Sequence, residues 1–152
     1  MRIPITAAAL MCIAAAAACT GSDSSTALPT TSATVVTDTD TGIVQPPIGG
    51  VFQSDTKTFT TTQSGTVSVT LTSAIETLPG SVLLPTVVVG LAIGSFASGA
   101  CTPLSGASAQ ASAGSAVVLQ GTVNAGSYCV QVFDVTNQVG PVAYTVLVSH
   151  PQ

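Results

Sequence analysis

Thr66-Val67-Ser68-Val69-Thr70-Leu71-Thr72 is the stretch that decides the fold. Val67, Val69 and Leu71 alternate with Thr and Ser, which is the period of a strand with one buried and one wet face. Gly65 just before it marks a turn. The same texture recurs on both sides. Thr56 to Gln63 predicts a preceding strand that carries Phe59. Thr86 to Ile93 reads TVVVGLAI, a β-branched run bounded by Pro85 and Gly94. Ala116 to Val123 is a further candidate. In Asn124 to Asp134, Gly126 supplies a turn and Tyr128, Val130 and Val132 share one face. Pro141 closes a loop before Val142 to Ser149 (VAYTVLVS). The Gly, Ala and Ser between Cys101 and Ser115 read as a loop. Short strands with turn signals between them, and no helical periodicity, predict an all-β fold: a single antiparallel β-sandwich over residues 51–150.

Composition narrows the function. The chain has 152 residues, with 2 basic and 6 acidic side chains, and 5% of positions are charged. A globular domain usually carries roughly 25%. Two basic residues cannot neutralise a row of phosphates, so nucleic-acid binding is excluded. Ser and Thr fill 40 positions (23 Thr, 17 Ser), so hydroxyls stand where Lys and Glu are usual. The apolar stretch from Val82 to Ala100 invites a membrane-helix reading. Pro85, Thr86 and the glycines at 90, 94 and 99 argue against it, and β-branched residues favour a strand.

The first 18 residues read as a signal peptide. Arg2 precedes an apolar stretch, Ala7 to Ala18, too short to span a bilayer. It ends Ala16-Ala17-Ala18-Cys19, followed by Thr20. Small residues directly before a Cys resemble the lipobox of bacterial lipoprotein signal peptides, although that family prefers Leu where this chain has Ala16. The resemblance implies lipidation of Cys19 and a membrane attachment through that lipid. Thr20 in place of Asp implies the outer membrane of a Gram-negative cell. The alternative is cleavage at an Ala-x-Ala site and plain secretion. Cys12 lies inside the apolar stretch and leaves with it.

Residues 19–50 are rich in Ser, Thr, Pro and Gly without sustained apolar periodicity, and predict a disordered tether. Asp38-Thr39-Asp40-Thr41-Gly42 within it resembles the start of a calcium loop. Counting from Asp38, position six is Ile43 and position twelve is Gly49, where such a loop needs Gly and Glu. Solvated linker acids are the expected reading.

Several pieces of the folded part resemble the bacterial pre-peptidase C-terminal domain, a jelly-roll-like β-sandwich. They are Lys57-Thr58-Phe59-Thr60, Gly65 to Leu71, Ala125 to Val132 and Tyr144-Thr145-Val146. The resemblance covers most of residues 51–149. It implies a non-catalytic module of the kind that accompanies exported enzymes, here without room for a catalytic domain beside it.

The folded part keeps two cysteines, Cys101 and Cys129. An exported chain meets an oxidising compartment, so a disulfide between them is expected. Catalytic material is scarce. His150 is the lone imidazole and reads as an exposed tail residue; no nucleophile elbow accompanies it. Paired carboxylates would have to come from Asp55, Glu76 and Asp134, and nothing in the spacing brings two together. No catalytic residue, metal or cofactor is expected. Phe133 has the strand parity opposite to Tyr128, so it and the adjacent Asp134 are the candidates for ligand contact, although turn capping also explains Asp134. The expected role is non-catalytic binding or structure at the cell envelope, toward a protein partner. A glycan is the alternative, disfavoured by the absence of Trp. Self-assembly is the other, because few charges guard the strand edges.

Overall fold

The computed structural model describes residues 33–80, 82–84, 87–114, 119–136 and 138–152. Among them the chain forms β1 (Val35–Val44), β2 (Ser54–Thr61), β3 (Gly65–Leu78), β4 (Val82–Leu84), β5 (Val88–Ala97), β6 (Ala100–Ser112), β7 (Leu119–Val123), β8 (Gly126–Phe133) and β9 (Val142–Pro151). The first sheet runs β1-β9-β3, with β7 and β4 pairing successive parts of the free side of β3. The second runs β2-β8-β5-β6. Every pairing is antiparallel. The two sheets face each other, so the all-β sandwich read from the alternation is the observed fold.

The core is built mainly of Val. Val67, Val69 and Leu71 from β3 and Val142, Tyr144, Val146 and Val148 from β9 meet Leu91, Ile93, Val130 and Val132 of the other sheet. Removing each such side chain from water contributes about 1.5–3 kcal/mol. Within the apolar stretch read from Val82 to Ala100 lie β4 and β5, and none of its described residues is helical. In β5 the run Val89 to Gly94 is buried on both faces, which explains its continuous apolar sequence.

Three strand boundaries correct the sequence reading. The folded part begins by Val35, not Val51, because residues 35–44 pair along their whole length with β9. Asp is depleted in strands, which hid the alternation of Val35 to Val44. Thr37, Thr39 and Thr41 lie on one face, while Asp38, Asp40 and Val44 stand opposite the core residues Val148, Val146 and Val142. The expected loop after Cys101 is strand β6, which pairs with β5. Ala, Ser and Gly give it little strand propensity of its own, and its partner strand supplies the order. The three residues of β4 are too few to show a strand period in the sequence.

A bulge in β3 has a consequence for side-chain direction. The β3–β9 register shifts between Leu71 and Ser73. Before it the odd residues Val67, Val69 and Leu71 face inward; after it Ala74 and Glu76 do. Thr72 Oγ1 donates to the Thr145 carbonyl at 3.1 Å across the bulge. Re-aiming a side chain is a recurrent use of such bulges. Here it turns a carboxylate into the interior.

Candidate functional site

The signal peptide, Cys12 and the proposed lipidation site Cys19 lie outside the described residues. The cysteine pair lies within them. Cys101 and Cys129 are joined as a disulfide with their Cα atoms 5.9 Å apart. The bridge passes over β5 at Gly94, which pairs with Cys129 on one side and Pro103 on the other. A Cβ at Gly94 would lie 2.9 Å from both sulfurs. Glycine is therefore what lets the bridge cross the strand.

Phe133 shares the outer face of the second sheet with Cys129. Its ring covers Gly90, where a Cβ would lie 2.2 Å from a ring carbon. So Gly90 and Gly94 form notches in β5, one filled by an aromatic ring and the other by the disulfide. Phe133 is half-buried and borders a shallow depression of about 260 Å³ with Ser108, Ala109 and Gln110. Asp134 is 3% exposed. Its Oδ1 accepts from the Thr136 amide at 2.9 Å, the turn-capping geometry. Of the two ligand-contact candidates, Phe133 alone offers surface.

His150 corrects the expectation of an exposed tail. It is 2% exposed, because β9 continues to Pro151 and pairs His150 with Val36. Its ring packs on Phe59 with centroids 5.1 Å apart. Nε2 lies 2.9 Å from Asp38 Oδ2, and Nδ1 lies 3.4 Å from the Gln152 side-chain nitrogen. Both ring nitrogens are thus engaged within the fold.

Around this pair, the acids read as linker residues form a charged seam with β2. Asp55 Oδ2 accepts from the Tyr144 hydroxyl at 2.9 Å and meets Lys57 Nζ at 3.2 Å. Gly42 leaves room for this contact, since a Cβ there would strike both Asp55 and Tyr144. Burial, then the hydrogen bond to Asp55, holds the Tyr144 hydroxyl well above the ordinary phenol range. Burial first, and Asp38 second, raises Asp40; Lys57 opposes this and Asp55 reinforces it.

Glu76 escaped functional notice in the sequence except as a possible member of a carboxylate pair. It is 2% exposed, and Oε1 accepts the amides of Val139 and Gly140 at 2.6 and 2.9 Å. Beside them Gln138 is 6% exposed, with neither amide atom hydrogen-bonded. Asp55, Glu76 and Asp134 therefore each have their own surroundings. Among the described residues no group of three His, Cys, Asp or Glu is placed to hold a metal ion.

On the outer face of the first sheet, Thr41, Ile43, Ser73, Ile75, Ala143 and Thr145 border a shallow cavity of about 460 Å³. The small side chain of Ala143 sits between two rows of longer ones. Comparison of the chain with family models, curated proteins and solved structures finds no match.

Proposed function

We propose that this is an exported, lipid-anchored β-sandwich, similar to the pre-peptidase C-terminal domain, with a non-catalytic binding or structural role at the cell envelope. One observation carries the reading. The described charged side chains of the strands, Asp38, Asp40, Asp55, Lys57 and Glu76, stand opposite or among core residues. The outer faces of both sheets present hydroxyls, methyls and amides. Such surfaces supply contact area and hydrogen bonds, and little acid–base chemistry. The disulfide suits an oxidising compartment.

Labelled fatty acid is expected to enter the parent chain in a bacterial host and not the Cys19→Ala variant. Label retained by Cys19→Ala refutes the anchor. The full chain is expected to capture an envelope protein from extract and to leave a glycan array blank.

The exposed part of the Phe133 ring beside Ser108 and Gln110 favours a second reading, a glycan contact. Reproducible sugar binding that is lost in Phe133→Ala reverses the order of the two.

A further inference from the structure

Among the described residues seven of the ten large apolar side chains left exposed gather in one region; the other three, Val35, Val36 and Ile43, lie along β1. The β1–β2 connection carries Ile48, Val51 and Phe52, β4 carries Val82–Leu84, and the β8–β9 loop carries Val139. These seven lie at one end of the sandwich. Val44 stands opposite Val142, Val142 opposite Glu76, and Glu76 opposite Leu84. The end of β1, the start of β9, the end of β3 and β4 therefore form one row. At the other end Val35 stands opposite Pro151.

Single exposed apolar residues are ordinary, whereas a cluster marks a contact surface. Each part of this cluster is held outward by local structure. Ile48 and Val51 exchange backbone hydrogen bonds at 3.1 and 3.0 Å, closing a hairpin tip. Gly49 and Gly50 turn it with φ of 60° and 80°. Glu76 holds the Val139 amide, and the Val139 side chain stays 67% exposed. In β4 all three side chains are exposed.

The shape and charge of this end select the partner. The apolar residues sit on three separate segments, the β1–β2 connection, β4 and the β8–β9 loop. A rigid protein partner needs a continuous complementary face, whereas a fluid apolar layer accepts separated segments. Residues 45–52, 82–84 and 138–141 contain no charged side chain. The one Lys among the described residues is paired with Asp55, so nothing here draws anionic headgroups. We infer that this loop end inserts its apolar tips into an electrically neutral lipid surface. The inference deepens the binding role proposed above and does not depend on acylation of Cys19.

The chain contains no Trp, so a single introduced Trp reports on its own position. Phe52→Trp and, separately, Val139→Trp are made in the full chain and mixed with phosphatidylcholine vesicles, plain or brominated in the acyl chains. The expected result is a blue shift with plain vesicles and loss of emission with brominated ones, for both reporters. Adding Leu83→Ser and Leu84→Ser to Phe52→Trp is expected to weaken the quenching. Replacing part of the lipid with phosphatidylglycerol is expected to leave it unchanged. Emission unmoved by vesicles in both variants overturns the inference. So does a shift that follows protein concentration without lipid, which assigns the surface to a second copy. A chain that sediments with vesicles through acylated Cys19 while both reporters stay unquenched overturns insertion and leaves the anchor standing.

Discussion

The two margins of the sandwich are closed in different ways. At one, β1 of the first sheet lies against β2 of the second. There Asp38 meets His150, Asp55 meets both Tyr144 and Lys57, and Asp40 lies within the field of Asp38, Lys57 and Asp55. At the other, β6 lies against β7. Neither of these strands, nor β4 beside them, carries a charged residue. Free strand edges invite pairing with other chains. The first margin is guarded by charged side chains, partly or half exposed. The second is interrupted, since β6 carries Pro103 and departs from the β5 register between Ser108 and Pro103, with Gly106 at φ 73°. A covalent tie then holds β6 to β8. Charge poverty thus has a structural counterpart: the few charges are concentrated at one margin, and small residues with a disulfide serve the other.

The largest effect should come from cutting that tie. The bridge spans a sequence separation of 28 residues, which by chain entropy is worth about 3–4 kcal/mol. The Cys101→Ser, Cys129→Ser double variant is expected to lose that much stability in urea unfolding, with β6 the first strand to lose amide protection. A loss below about 1 kcal/mol would mean that packing alone closes this margin.

Glu76 offers the next test. It lies on β3 beside β4, so one buried carboxylate stands behind the uncharged margin. Glu76→Ala leaves the Val139 and Gly140 amides without their acceptor. An unsatisfied buried group costs about 1–3 kcal/mol; the Gly140 amide is buried and the Val139 amide only partly so, so the variant should lose about 2–4 kcal/mol. Glu76→Gln, which keeps a carbonyl acceptor, should lose less. Hydrogen exchange at the two amides checks this directly. Unchanged exchange in Glu76→Ala would show that the loop is held by other contacts.

The same contrast explains how much of the fold was legible in the sequence. Where alternation coincided with strand-forming residues, as in Val67, Val69 and Leu71 or Val142 to Ser149, strands and core faces could be read directly. The cysteine pair was legible because only two remained once the first 19 residues were set aside. β1 and β6 were not, because Asp in one and Ala, Ser and Gly in the other carry loop propensity that neighbouring strands override. The burial of His150 follows from the register with β1, which no local pattern encodes. The role of Glu76 depends on a bulge one residue long that exchanges the inward and outward faces of β3. The apolar loop end was invisible for a similar reason: Ile48, Leu83 and Val139 are far apart in sequence and share a surface through strand order.

The smallest expected effect belongs to the charged margin, and its sign opposes the other two. Burial and the neighbouring Asp38 raise Asp40 above its ordinary value of 3.8, with Lys57 offsetting part of this. The folded state therefore binds the Asp40 proton more tightly than the unfolded chain does. Stability from this group is fully present below the unfolded value and is lost as pH rises through the folded one. Near neutral pH the ionised Asp40 weakens the fold, so Asp40→Asn should raise the melting temperature. The position is partly exposed, which limits the gain to under about 1 kcal/mol. The advantage should shrink with added salt and vanish as pH falls below 3.8, where the parent carboxyl is protonated in both states. An advantage that persisted in acid would trace to amide hydrogen bonding rather than to charge. A loss at neutral pH would mean that attraction to Lys57 outweighs burial and Asp38, and that the seam holds the two sheets together through its charges.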